Sequence, residues 1–291
     1  MSGKTCVITG ANSGIGKKTA QGLAQMGAHV VMVCRNEEKG RAALEDVRRE
    51  SGSSKLDLLT ADMSSQASVR LVAKQIVGNY PRLDVLINNA GAVVRHRTLS
   101  ADGIEMTVAG NHLGAALLTF LLLDLLKASA PSRIVNVSSE SHRNATVDMT
   151  DLQYETRKYS LFASYGQSKL LMNAFTFELA RRLDGTGVTA NCLHPGVVAT
   201  NMGGTDAPVV WKIILALVRP FLMTPTQGAR TSLYVASSGE LARVTGKYFA
   251  KAKEVEPSPQ SRDPKLMGAT WLWTEKMIGQ QVTGSYISGG S

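Results

Sequence analysis

Short, almost unbroken apolar runs alternate along this chain with longer stretches in which apolar residues return every three or four positions. The runs at 5–9, 28–34, 56–60, 85–88, 133–137 and 188–193 predict strands covered on both faces, since a strand with one wet face would alternate apolar and polar residues. The stretches at 15–26, 38–50, 66–79, 103–127 and 166–183 predict amphipathic helices between them. Such alternation requires right-handed crossovers and builds an open, parallel, doubly wound α/β sheet, in which ligands bind beyond the carboxyl ends of the strands. After residue 196 the regularity stops. There, 208–223 and 227–236 read as helices, 247–250 as a short strand, 254–264 as a proline-interrupted surface loop, and the Gly/Ser-rich 282–291 as a flexible tail.

A length of 291 residues with 44% hydrophobic positions suits one α/β domain over 1–280, with a small C-terminal substrate lobe at about 203–265. The 32 basic and 23 acidic side chains leave a net charge of +9, which suits an anionic ligand, nucleic acid or an anionic membrane. The charge occurs in pairs such as Arg48-Arg49 and Arg181-Arg182, with no zinc spacing and no basic stripe interleaved with aromatics, so no nucleic-acid partner is expected. Cys6, Cys34 and Cys192 lie unpaired in apolar runs, as small buried residues do in a reducing, cytoplasmic compartment. Neither a signal peptide nor an apolar run of the roughly 18 to 20 residues that span a bilayer is evident.

Thr9-Gly10-Ala11-Asn12-Ser13-Gly14-Ile15-Gly16 follows the first strand directly and opens the first helix. Glycines there allow a tight turn and let the backbone approach a pyrophosphate, whose charge rests on the helix N-terminus. The second strand ends at Arg35, and an arginine at that end matches a cofactor 2′-phosphate, so NADP(H) is expected, with Lys39 and Lys17 as further phosphate contacts. A solvated arginine, with Glu37 serving a ribose hydroxyl, is the competing reading. Asp62-Met63 and Asn88-Asn89-Ala90-Gly91 close the third and fourth strands, where a carboxylate can meet an exocyclic amine and small residues let backbone pass a ribose.

The fifth strand closes with Ser138-Ser139, and Tyr165-Gly166-Gln167-Ser168-Lys169 follows downstream. Tyrosine and lysine four apart share one helix face. A free phenol has a pKa near 10 and needs a neighbouring cation to work as an acid–base group at neutral pH. Lys169 can supply that charge while a serine hydroxyl orients a substrate oxygen, an arrangement suited to proton transfer as hydride moves to or from nicotinamide. Tyr154 and Lys158 have the same spacing but sit in a polar connection, whereas Tyr165 leads into the apolar-periodic LLMNAFTFELARRL. His112, His142 and His194 form no ligand cluster, so no metal is expected and a packed or hydrogen-bonded role is assigned to them.

TGANSGIG, NNAG and YGQSK together identify the chain as resembling the short-chain dehydrogenase/reductase superfamily, with its Rossmann-type sheet, over nearly its whole length. Asn111-His-Leu-Gly114, His194-Pro-Gly-Val-Val198, Gly228-Ala-Arg-Thr-Ser-Leu233 and Gly246-Lys-Tyr-Phe249 resemble its retinol dehydrogenase-like branch. The resemblance implies Ser139 as the substrate-orienting hydroxyl, Tyr165 as general acid/base, Lys169 as the ribose-binding cation that lowers the tyrosine pKa, and Asn111 as holder of a relay water. It also implies that Pro195, Gly196, Val198 and Thr200 lie in the segment holding the nicotinamide carboxamide. Homo-oligomers through the helices at 103–127 and 166–183 occur among such relatives.

The function expected is interconversion of an alcohol with an aldehyde or ketone, with reduction of a conjugated carbon–carbon double bond and a non-catalytic cofactor-binding protein as alternatives. Segments 143–162 and 203–223 should form the substrate mouth. The apolar 208–223 suits either a lipophilic pocket or a lid packed on the core, and also peripheral membrane contact. Many relatives carry an N-terminal anchor, whereas this chain opens on its first strand, so retinoid metabolism and stable membrane residence are not carried over.

Overall fold

Eight strands form one sheet in the order β3-β2-β1-β4-β5-β6-β7-β8 in a computed structural model that describes residues 1–196 and 223–279. They are β1 (Thr5–Thr9), β2 (His29–Cys34), β3 (Leu56–Thr60), β4 (Val85–Asn88), β5 (Ser132–Val137), β6 (Val188–His194), β7 (Tyr248–Ala250) and β8 (Lys253–Glu254). All neighbours pair in parallel except β7 with β8. The strand order reverses between β1 and β4, and the crevice at such a switch is where doubly wound folds bind ligands.

The helices are α1 (Gly14–Gln25), α2 (Glu37–Ser51), α3 (Gln66–Asn79), α4 (Met106–Ala128), α5 (Leu161–Arg182), α6 (Pro225–Ser237) and α7 (Pro264–Ile278). Period-two alternation within the apolar strands feeds two cores. Val7, Val31, Leu86 and Ile134 join α3, α4, α5 and α7 on one face of the sheet, whereas Cys6, Ile8, Val30, Met32 and Val135 join α1, α2 and α6 on the other. This is why the strand sequences read as continuous hydrophobic runs.

Local signals set the helix boundaries. The Glu105 carboxylate accepts from the Thr107 and Val108 N–H groups at 2.8 and 2.9 Å, so α4 starts at Met106, later than its periodicity predicts. Conversely, α5 begins five residues before 166, placing Tyr165 inside a helix already under way. Helix α4 is also long and apolar enough to cross a bilayer, but 83% of its most apolar window is buried, which marks a core helix. The predicted helix at 208–223 falls outside the described residues up to its last position, as does the 282–291 tail.

Helix α7 and strand β8 go beyond the periodic elements read from the sequence. Asp263 caps α7, Pro264 opens it, and Gly279 at φ 60° ends it. Trp271 is fully buried, stacked on Phe175 of α5 at 5.5 Å and 12°, tilted against Phe120 of α4 at 4.9 Å, with the Arg182 guanidinium 4.2 Å over its ring. Thr274 Oγ1 lies 2.8 Å from His112 Nε2. Helix α7 thus packs against α5 and part of α4 through Trp271 and Thr274.

Because α7 docks through one large aromatic, Trp271→Ala should lower the unfolding free energy by about 3–5 kcal/mol. Denaturant unfolding checks this, and a loss under about 1 kcal/mol would show that α7 contributes little to the fold.

Candidate active site

Every chemistry-bearing segment lies at the carboxyl end of a strand or on the two helices that cross those ends. The turn after β1 reaches the end of β4 at very short range. A Cβ on Gly10 would lie 2.9 Å from Ala90 Cα, and one on Gly16 would lie 2.3 Å from Gly10 O. Only hydrogen fits at either position, and Gly10 also has a φ of +66°. Thr9 Oγ1 accepts from the Asn89 and Ala90 N–H groups at 3.0 Å each, while Asn89 Nδ2 donates to Thr9 O at 2.8 Å. Thr9 therefore builds the cradle although the sequence reading gave it no role. Its place beside Gly10, at the last residue of a strand, was the available signal.

Asn12, Ser13, Gly14 and Ile15 lead into α1, whose first turn carries no acidic residue and whose cap Ser13 makes no side-chain bond to it. The leading N–H groups are thus left for an anion. A cleft of about 400 Å3 lies beside them, lined by Asn12, Ser13, Lys17, Lys39 and Asp46 among others. Lys17 is spent on an ion pair with Asp46, which corrects its reading as a free phosphate contact. Glu37 is likewise held by Arg41. Arg35 is exposed at the end of β2, and neither it nor the Lys39 ammonium has an ion-pair partner among the described residues. Asp62 folds its own turn by accepting from Ser64 N and Oγ at 2.9 and 2.7 Å, and the Met63 side chain is buried in a core, with its carbonyl packed against Gly114 of α4.

At the other end of the crevice, Lys169 donates from Nζ to Val137 O at 2.9 Å, with the ammonium 5.7 Å from the Tyr165 ring centre. Burial brings the Lys169 ammonium down to about 8. Tyr165 is half-buried; burial pushes its phenol upward and a bond with the Ser139 hydroxyl opposes that. Desolvation of the phenolate is the larger of the two effects on Tyr165. Ser139 Oγ is placed by the Ser141 N–H at 3.2 Å and its hydroxyl at 3.1 Å.

Asn111 lies beside them on α4. Its amide is tied to both backbone groups of Ala92, at 2.9 and 2.8 Å, and donates to Ser168 Oγ at 3.1 Å. The side chain is thus engaged, on a stretch of α4 that widens into an i→i+5 turn at Ala109–Leu113. A Cβ on Gly91 would lie 3.4 Å from Lys169 Nζ and 3.5 Å from Asn111 Oδ1, so the three residues converge on one point.

The two tyrosine–lysine pairs separate clearly. Tyr154 is buried in the loop before α5 at φ 54°, with the Arg157 guanidinium 4.3 Å over its ring, while Lys158 is exposed. Asp151 knots that loop by accepting from the Glu155 and Arg157 N–H groups at 2.6 and 3.0 Å. Gln167 fastens it to the catalytic turn of α5 through Leu152 O at 2.8 Å. These tethers were invisible to the motif reading, since none belongs to a local pattern. Pro195 and Gly196 follow β6 at the same end of the sheet, Gly196 at φ +92°; Val198 and Thr200 lie outside the described residues.

Comparison with known proteins agrees with this architecture. The pattern of the family described as short chain dehydrogenase matches residues 4–208. Retinol dehydrogenase 13 of Homo sapiens is 42% identical over 289 residues, covering 95% of this chain and 85% of that protein. A crystal structure of an uncharacterized protein from Mycobacterium Paratuberculosis superposes with a TM-score of 0.78 at 31% identity, covering 97% of this chain and 95% of that one. A short chain dehydrogenase from Shigella flexneri 2a str. 301, solved in complex with NADP, superposes at 0.67 with 25% identity, covering 87% and 98%. The chain belongs to the short-chain dehydrogenase family, in its retinol dehydrogenase-like branch.

Proposed function

We propose that this oxidoreductase interconverts a lipophilic alcohol and its aldehyde or ketone with NADP(H), using Tyr165 as the general acid/base. The observation that carries the reading is the convergence of the Gly10–Gly16 cradle and the Ser139, Tyr165 and Lys169 side chains on one crevice at the strand ends. Two glycines whose Cβ atoms would strike backbone, and an unbonded helix N-terminus, fit a dinucleotide pyrophosphate. The nicotinamide, when bound, exchanges hydride with the substrate carbon.

In the reducing direction Tyr165 donates its phenolic proton to the substrate oxygen, and Ser139 donates a hydrogen bond to the same oxygen. Lys169 stabilises the phenolate left behind, and Asn111, through its backbone, holds the water that refills it. Gly91, Asn89 and Ala90 line the ribose path, Asp62 and the Met63 backbone meet the adenine, and Pro195 and Gly196 face the nicotinamide. The preference for NADP rests on the exposed Arg35 at the end of β2, on Lys39 in the cleft lining, on the engagement of Glu37 by Arg41, and on the NADP bound by the Shigella relative. Residues 1–280 then act as one domain. Cytoplasmic residence is supported by the three buried, unpaired cysteines, peripheral membrane contact by the +9 charge, and a small-molecule substrate by the architecture.

Turnover of a panel of aldehydes, ketones and enones, followed through NADPH absorbance with product analysis, tests the reading. Alcohol products are expected, and Tyr165→Phe should cut kcat by about 100-fold or more while Tyr154→Phe stays within about threefold. Saturated-bond products or a reversed mutant pattern would sink it. Arg35→Ala should raise the KM for NADPH by roughly 10- to 100-fold and leave that for NADH within about threefold; an equal effect on both would remove the 2′-phosphate assignment. Lys169 loses its charge as pH rises through about 8, so NADPH affinity should weaken as pH rises above that value. Fluorescence titration from pH 6 to 10 reads this, and a flat profile would contradict it.

A further inference from the structure

We propose that His194 is a positioning residue that couples the catalytic-serine turn to the Pro195–Gly196 segment through its two ring nitrogens, in one fixed tautomer. The proposal rests on the functional reading above, in which Ser139 orients the substrate oxygen and Gly196 faces the nicotinamide.

His194 ends β6, and its side chain is only 13% exposed. The Gly196 N–H donates to its Nδ1 at 3.0 Å, so Nδ1 must carry the lone pair. Nε2 therefore carries the proton and faces Glu140 Oε2 at 3.2 Å. Glu140 is the residue after Ser139, and Gly196 holds a φ of +92°. One ring thus spans from the residue beside the substrate-orienting serine to the amide of the cofactor-facing loop.

The same turn is gripped from its other side. Ser258 N–H donates to His142 Nε2 at 3.0 Å, which forces the proton of that ring onto Nδ1, where it donates to Ser139 O at 2.7 Å. His142 is fully buried, and both rings pack on Tyr248, at 4.9 Å for His142 and 6.5 Å, nearly parallel, for His194. The two histidines hold opposite tautomers, and between them they fix the backbone and the flank of Ser139.

Protonating His194 removes the acceptor for Gly196 N–H while leaving the Glu140 contact, so the link is one-sided in pH. The groups facing His194 are Glu140, Arg143 and Lys251, with His142 and the Tyr248 ring beside it. Burial lowers its pKa, Glu140 raises it, and Arg143 and Lys251 lower it further, for a net downward shift. The neutral, coupling-competent ring is therefore held at neutral pH, and the link is lost on the acid side, below the ordinary histidine value of about 6.5.

The test combines a spectrum with a binding titration. In the free wild-type protein, 15N-resolved NMR of the histidine rings should show His194 with its proton on Nε2 and His142 with its proton on Nδ1. NADPH titrated by tryptophan fluorescence between pH 5 and 8 should bind wild type more weakly toward acid. His194→Phe keeps the aromatic packing but accepts no bond, and should raise Kd about tenfold at pH 7.5. His194→Asn, whose side-chain oxygen reaches the Nδ1 position and does not titrate, should return Kd to within about threefold and remove the His194 acid limb. A proton on Nδ1 of His194, or unchanged Kd and acid limb in His194→Phe, overturns the proposal. If wild type binds neither NADPH nor NADH, the oxidoreductase reading fails, and the tautomer alone still decides the coupling.

Discussion

The close approach of the β1–α1 turn to the end of β4 is the constraint on which the site depends. Gly10 and Gly16 remove the atoms that would hold the two backbones apart, and Thr9 and Asn89 fasten them with hydrogen bonds. Because β1 and β4 are neighbours where the strand order reverses, this contact closes the floor of the crevice and still leaves the α1 N-terminus directed into it. A side chain at either glycine would separate the strands or shut the cradle. The cradle proposed for phosphate and the strand pairing thus meet in the same few atoms.

From that floor the reacting end is assembled across the sheet. The turn after β5 supplies Ser139, α5 supplies Tyr165 and Lys169 one turn apart, and α4 supplies Asn111 from a widened turn. Desolvation governs the chemistry here. It pushes the phenol of Tyr165 up and the ammonium of Lys169 down, so burial favours the neutral form of both groups. Hydrogen bonds from Lys169 to Val137 O and from Asn111 to Ala92 hold the donors in place without neutralising them.

The periodic parts were legible in the sequence. Six parallel strands and the helices between them appeared as apolar runs and amphipathic stretches, because covering both faces of a sheet leaves a local composition signal. Tyr165 could be preferred over Tyr154 because only the former leads into a helical apolar stripe. Helix α7 was not read, although Asp263-Pro264 and Gly279 bracket it. Its apolar stripe is narrow, with threonines among the buried positions, and Trp271 gains its meaning only from Phe120, Phe175 and Arg182, which are distant in sequence.

The sequence alone determined the doubly wound sheet, the glycine cradle and the catalytic residue types, since each follows from spacing within about a dozen residues. Tertiary structure decided which candidates are free. It paired Lys17 with Asp46, occupied the Asn111 amide with Ala92, packed α7 against α5 and part of α4, and set His142 and His194 in opposite tautomers around Ser139. The physical reason is that a side chain's availability depends on its partners, and these partners are brought together by packing that spans from two to more than a hundred positions of sequence.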